Sequence, residues 1–391
     1  MRIHARRFDT REVVVIETSG DRIADLRVSP AAGEFPWVAP GLVDLQVNGL
    51  GGLELTDIGL TVEQVARVSQ SLDAFGVTTY CPTVTTHSFE VLCHSLATIA
   101  AASEKSAAAR QRIAGIHLEG PYLSREEGPR GAHPARFCRP PDWDEFQRLQ
   151  EAAGGRIRIL TLAPEYDGAP AFIERVVASG VLVAIGHTAA DANQIRAAVD
   201  AGARMSTHLG NGAHALIRRH PNYLWDQLAE DRLVASLIAD GHHLPASVVK
   251  CFIRAKTAER CVLVSDVVGM AGMPPGRYEN TRVGDVEILE DGRLVVAGQR
   301  QYLAGATLPL TQGVANVMRF AGLDLKAAVE MASLQPASLV RQRDLGIAAG
   351  ARADLILFEL PQDDTSPIRI QATIKQGQLV YGALPQDPIR T

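Results

Sequence analysis

At 391 residues the chain is long enough for one domain of barrel size together with a smaller one. Its 46% hydrophobic and 21% charged residues are those of an ordinary globular protein, which excludes a disordered chain. A formal net charge of -5 and the lack of any long basic run argue against nucleic acid or a membrane surface as partner, so an anionic ligand must be held by a few local cations.

Two further classes drop out. The five cysteines (Cys81, Cys93, Cys138, Cys251 and Cys261) are odd in number, scattered and without a CxxC pair, so neither a disulfide framework nor a cysteine-based zinc site is expected. The opening Met1-Arg2-Ile3-His4-Ala5-Arg6-Arg7 has no apolar core for a signal peptide, and no stretch is long enough to span a bilayer. We therefore expect a cytoplasmic protein.

Residues 1–37 read as short strands with turns: Val13-Val14-Val15-Ile16 is apolar, Gly20-Asp21 turns the chain, and Ile23 to Val28 continues it. Pro40-Gly41 introduces Leu42-Val43-Asp44-Leu45-Gln46-Val47-Asn48-Gly49, the first candidate barrel strand. A helix follows, opened by a Thr61/Gln64 capping box, spaced helically through Val62, Val65, Val68, Leu72 and Phe75, and stopped by Gly76. Val77-Thr78-Thr79-Tyr80 is the next strand, and 88–102 is helical again.

The alternation continues. Strand-like runs lie at 113–119, 157–162, 181–186, 204–208, 233–239 and 261–265, with helical patterns at 170–179, 191–200 and 245–256 between many of them. This pattern predicts a (β/α)8 TIM-like barrel. A doubly wound open sheet also alternates, but normally carries an early Gly-rich phosphate turn, and none is present. Gly284 to Val296 reads as a hairpin around Asp291-Gly292, and helices are expected near 308–321 and 324–333. From Gly346 onward the chain turns to strands: Ala353 to Phe358, Ile368 to Ile374 and Leu379 to Tyr381. We expect a small β-sandwich domain formed by the N- and C-terminal segments, 1–38 and 345–391, beside a barrel spanning 39–344.

Five polar residues end successive predicted strands: Glu119, His187, His208, His243 and Asp266. A lone strand-end histidine is ordinarily a hydrogen-bonded loop residue, and a strand-end aspartate is often just the N-cap of the next helix. Five at equivalent barrel positions point instead to a metal site at the C-terminal face. Two imidazoles and one carboxylate make a three-ligand catalytic site with a position left for water. An ion there polarises a carbonyl and acidifies its water, and a neighbouring aspartate serves as general base, then acid. That is machinery for hydrolysing an amide. Many metal-dependent barrel hydrolases carry His-x-His on the first strand, where this chain has Gln46-Val47-Asn48. Neither amide is a strong transition-metal ligand, which favours one divalent ion. Zinc fits the ligand set, as do ferrous iron and other divalent ions.

With these residues assembled, the chain resembles the N-acetylglucosamine-6-phosphate deacetylase family of the amidohydrolase superfamily. The resemblance runs through residues 40–49, His117-Leu118-Glu119-Gly120-Pro121, Leu162-Ala163-Pro164-Glu165, Gly186-His187-Thr188, Thr207-His208-Leu209, Ile238-Ala239-Asp240-Gly241, Ser265-Asp266 and the segment from Leu303 to Ala337. It implies metal ligation by Glu119, His187 and His208, and an acid/base role for Asp266. His243 corresponds to a histidine near the reacting amide and sugar, His133 to one in the active-site loop, and Asn211 and Gly212 to positions contacting the sugar phosphate. Arg219 aligns with an arginine that reaches the phosphate from the neighbouring subunit, which implies a homodimer. The implied substrate is an N-acetyl amino-sugar phosphate.

The chain departs from the family at Leu209-Gly210-Asn211-Gly212-Ala213-His214, at Arg219-His220-Pro221-Asn222, and at Trp225, where small residues are usual. These departures motivate an alternative substrate, N-acetylgalactosamine 6-phosphate or an unphosphorylated N-acyl hexosamine. A non-catalytic barrel kept as a binding scaffold predicts a broken ligand set, whereas here the set is intact.

Overall fold

Eight short parallel strands pair in sequence order into one sheet. They are β1 Leu42–Val47, β2 Val77–Thr85, β3 Ile116–Glu119, β4 Ile157–Leu162, β5 Leu182–Ile185, β6 Met205–Ser206, β7 Val234–Leu237 and β8 Cys261–Leu263. The structure is a computed structural model and describes residues 1–31, 33–281 and 284–385. The strands read as unbroken apolar runs because both of their faces are covered: in β4 only Arg158 is exposed. Val43, Leu45, Cys81, Ile159, Met205 and Val262 form one buried cluster inside the barrel, separate from the larger core under the helices.

The helices between strands are fixed by their own chemistry. Thr61 Oγ1 accepts from the Gln64 amide while Gln64 Oε1 accepts from the Thr61 amide, opening Val62–Ser71. Gly76, at φ +73°, stops the short turn that follows. Asp191 and Gln194 repeat the capping box at Ala192–Asp200. Each such cap contributes about 1 kcal/mol, and burying Val65 and Val68 on the inner face of the first helix adds about 1.5–3 kcal/mol apiece.

The barrel closes between β1 and β8 through few backbone contacts. The Asp266 amide donates to the Gln46 carbonyl at 3.0 Å and the Asn48 amide to the Val267 carbonyl at 2.8 Å. Buried Asp44 reinforces the seam, its Oδ1 accepting from the Ser265 and Gln46 amides. Closure thus brings Gln46 and Asn48 beside Asp266.

Both chain ends share one seven-stranded sheet. Its order is Gln378–Gly382, Arg369–Lys375, Leu355–Glu359, Trp37–Pro40, Arg2–Arg7, Val13–Ser19, Arg22–Val28. Trp37–Pro40 feeds directly into β1 through Gly41, where a Cβ would lie 2.1 Å from Thr78 Oγ1, so only glycine fits the crossing. Lys375 and Asp354, both fully buried, pair at 2.8 Å and pin the sheet edge.

The hairpin expected at Gly284 to Val296 is present, Gly284–Ile288 pairing with Leu294–Val296. It belongs to a larger four-stranded antiparallel sheet that also contains Gly276–Thr281 and Gln299–Gly305. Those outer strands are rich in Arg, Glu and Gln and lack the alternation that marks a half-buried strand; among the described residues the buried heart of this insertion is Met270, Val286, Ile288 and Leu294. The helix expected over 324–333 is present as Leu325–Glu330, and a further short helix, Leu334–Leu339, follows from Ser333.

Candidate metal centre and active site

The five strand-end residues lie at the C-terminal end of the barrel, and three of them converge. Glu119 Oε1 is 3.2 Å from His187 Nε2 and 3.0 Å from His208 Nε2, and the two imidazole nitrogens are 3.0 Å apart. All three side chains are buried. His133 joins them, its Nε2 3.2 Å from His187 Nε2, so that Glu119, His133 and His187 also form a compact potential ligand group. The histidine expected in the active-site loop thus lies at the edge of the ligand cluster.

The hydrogen bonds test whether this cluster fits a cation. The Pro129 carbonyl accepts from His187 Nδ1 at 2.9 Å, which leaves the Nε2 lone pair of the neutral ring pointing inward. His208 Nε2 and Glu119 Oε1 lie 3.0 and 3.2 Å from that nitrogen and 3.0 Å from each other, so three potential ligand atoms face one point. A cation at that point would draw on all three atoms, the two imidazoles presenting their Nε2 lone pairs to it. The separations are close to the roughly 3.3 Å edge of a tetrahedron built on bonds of about 2.0 Å. Burial works against a charged Glu119, but the imidazoles of His187 and His208 overcome it and hold the carboxyl well below its usual range. The donor set fits a divalent metal ion.

Three site residues carry backbone strain: His187 at φ +51°, His208 at φ +30° and Asp266 at φ +54°. Non-glycine residues in this region persist where the surroundings force them, commonly at functional sites. For His208 the forcing group is Ser236, whose Oγ accepts from the His208 amide at 2.7 Å and whose carbonyl accepts from the Leu209 amide at 2.9 Å. For His187 it is Glu165, which accepts from the Thr188 hydroxyl and the Ala189 amide.

Gln46 and Asn48 act as donors. Gln46 Nε2 donates to Glu119 Oε1 at 3.0 Å, and Asn48 Nδ2 donates to Asp266 Oδ1 at 2.7 Å. Asp266 is partly buried, and its carboxyl is pushed up to about 6, first by burial and then by the charge of Glu119. His243 is held through Nδ1 on Asp240 Oδ2 at 2.7 Å, while Asp240 Oδ1 accepts the His243 amide at 2.9 Å. Beneath the cluster, buried His117 spans β1 and β4, contacting the Leu45 carbonyl at 3.0 Å and Thr161 Oγ1 at 2.7 Å.

The remaining expected residues lie on the loop after β6. The Asn211 amide donates back to the His208 carbonyl. Gly212, at φ +58°, packs so tightly on His187 that a Cβ would sit 2.6 Å from Nδ1. His214 ties this loop to its neighbour, meeting Glu126 Oε2 at 3.2 Å and Tyr223 Oη at 3.0 Å. Arg219 is exposed and has no carboxylate partner among the described residues; Leu216 (94% exposed) and Trp225 (54%) stand on the same segment.

Comparison with known proteins follows this geometry. The sequence profile of the amidohydrolase family matches residues 37–380. Bovine (Bos taurus) N-acetylglucosamine-6-phosphate deacetylase is 34% identical over 355 residues, covering 88% of this chain and 83% of that one. The chain belongs to the N-acetylglucosamine-6-phosphate deacetylase family of amidohydrolases. Within that family it is also similar to N-acetylgalactosamine-6-phosphate deacetylase of Escherichia coli O157:H7, at 32% identity over 91% of both chains. A solved Mycobacterium smegmatis N-acetyl-D-glucosamine-6-phosphate deacetylase, an aspartate-to-alanine mutant in complex with N-acetyl-D-glucosamine-6-phosphate, superposes with a TM-score of 0.84. It is 30% identical and covers 97% of this chain and 99% of its own. The chain is therefore a metal-dependent deacetylase-type hydrolase on a TIM-like barrel.

Sequence reasoning placed Asp240 and Glu165 in matching motifs without giving them a role, and it missed the donor roles of Gln46 and Asn48. The i, i+3 spacing of Asp240 and His243 is a usable signal for the first. The donor roles require knowing that β1 closes on β8.

Proposed function

We propose that the chain removes acetate from an N-acetylated hexosamine phosphate, N-acetylglucosamine 6-phosphate first, using one divalent ion per subunit held by Glu119, His187 and His208. The observation that carries this reading is the convergence of those three ligand atoms within 3.0–3.2 Å, close enough to Asp266 for the charge of Glu119 to act on its carboxyl. When bound, the ion supplies Lewis acidity to the amide carbonyl and lowers the pKa of water. Asp266, fixed by Asn48, takes the proton from the attacking water and returns it to the amine nitrogen as the C–N bond breaks. Asp240 accepts from His243 Nδ1 and so orients the ring, whose Nε2 side is assigned to the oxygen where charge develops.

His133, bordering the cluster, is assigned to the substrate. Asn211, Gly212 and Arg219 are assigned to the phosphate, for which a guanidinium is the suited partner. Exposed Arg219, beside exposed Leu216 and Trp225, supports a homodimer in which the arginine serves the partner's site. Zinc suits the two-imidazole, one-carboxylate set. Five free cysteines suit a reducing cytoplasm, and among the described residues no helix is long and apolar enough to cross a membrane.

A second substrate reading, N-acetylgalactosamine 6-phosphate, is favoured by the 32% identity to an enzyme of that name and by the altered 209–225 segment. Acetate release from both 6-phosphates and from the unphosphorylated sugars separates the readings. We expect the glucosamine phosphate to be hydrolysed fastest; indifference to phosphate removes Arg219 from its role. Asp266→Asn should lower turnover about 10²–10⁴-fold with metal content unchanged, and near wild-type turnover overturns the mechanism.

A further inference from the structure

The opposite end of the barrel carries a second feature that deacetylation does not use. A cavity of about 510 Å³ lies where the entry to β3 meets the loop after Leu334–Leu339 and the edge of the seven-stranded sheet. It is lined by Arg110, Arg112, Arg341, Arg343 and Arg352, against one carboxylate, Asp344. In a chain of net charge -5, such a concentration of guanidinium groups in one concavity calls for an anion.

Internal pairing does not neutralise it. Asp73 takes Arg112 through two bonds of 2.7 Å, and Asp354 takes Arg352 at 2.5 Å while also pairing Lys375. Asp344 is shared between Arg22 at 3.2 Å and Arg352 at 3.6 Å. Arg110, Arg341 and Arg343 have no carboxylate within 4.0 Å among the described residues. Arg341 adds an independent sign. It occupies the left-handed position after Leu334–Leu339, at φ +61°, its amide donating to the Ser338 carbonyl and that of Gln342 to Ala337. Glycine fills such a position without strain. Arg341 lines the cavity in spite of this backbone, its guanidinium reaching on to the neighbourhood of Gly180.

We propose that this cavity is a binding site for a phosphate-bearing small molecule, separate from the catalytic end. Guanidinium groups engage phosphate through paired N–H donors, and the volume suits a metabolite-sized ligand at the junction of two structural layers. The inference does not depend on which sugar is deacetylated.

The test is calorimetric titration of the metal-loaded enzyme with inorganic phosphate at constant ionic strength, using wild type, Arg341→Gln/Arg343→Gln, Arg110→Gln and Arg219→Gln. We expect a binding event that survives in Arg219→Gln and weakens at least tenfold in the double variant and in Arg110→Gln, with kcat/KM of all but Arg219→Gln unchanged. Crystals soaked in tungstate should show an anomalous peak among Arg110, Arg341 and Arg343. Wild-type phosphate affinity in the double variant, loss of all binding in Arg219→Gln, or tungstate only at the catalytic end each overturn the proposal.

Discussion

Asn48 donates to Asp266, 2.7 Å from Nδ2 to Oδ1, at the seam where the first and last barrel strands meet. A second bond, from the same nitrogen to the Asp266 carbonyl at 3.3 Å, fixes the carboxylate in a strained backbone position. Asn48 thereby controls both the aim and the basicity of the general base. Asn48→Ala removes a bond that favours the ionised carboxyl, so the Asp266 pKa rises above about 6. The acid limb of kcat/KM should move up by roughly one pH unit, with kcat reduced about 10–100-fold and metal content intact. An unmoved limb would show that Asn48 only fills space.

Gly212 is packed against the imidazole of His187, which cannot retreat because its Nδ1 is bonded to Pro129. Gly212→Ala is expected to displace His187, leaving well under one metal per chain and activity lowered about 100-fold or more. Gly155→Ala is the control: φ is +74° with nothing within 4 Å of the added methyl. It should lose about 1–2 kcal/mol of stability and no activity. Metal analysis and thermal melts of the two variants decide the matter.

Ligand atoms of Glu119, His187 and His208 gathered within 3.0–3.2 Å should couple the stability of the fold to a bound cation. Chelation should destabilise the wild type by about 3 kcal/mol relative to protein held at 100 times the metal Kd. Glu119→Gln, whose ligand set is broken, should melt at the same temperature with and without chelator. Equal chelator sensitivity in both proteins would place the ion elsewhere.

His117 sets a pH limit on stability. Burial pushes its imidazole down to about 4 from an ordinary 6.5, with both ring nitrogens already engaged. The unfolded chain therefore binds the extra proton between those values. The contribution is complete above about 6.5 and is lost as pH falls towards about 4, on the order of 3 kcal/mol in all. Denaturant midpoints from pH 4 to 7 should fall with acid in the wild type and less steeply in His117→Asn.

The ligand cluster was legible because apolar runs ending in Glu119, His187, His208 and Asp266 carry their meaning locally: a buried strand has no packing use for such a tip. What lay beyond reach depends on distant pairs. Asn48 meets Asp266 across 218 positions of chain, and His133 meets His187 through a loop without regular periodicity. The outer strands of the 276–305 sheet were hidden for another reason: strands that bury little need no apolar rhythm.

The strand Trp37–Pro40 hydrogen-bonds on one side to Arg2–Arg7 and on the other to Leu355–Glu359. A ribosome delivers the first two some three hundred residues before the third. Until Leu355–Glu359 has been made, the newborn ribbon carries an open edge along Trp37–Pro40. The sheet that leads into the barrel's first strand is thus completed only after the whole barrel has been synthesised.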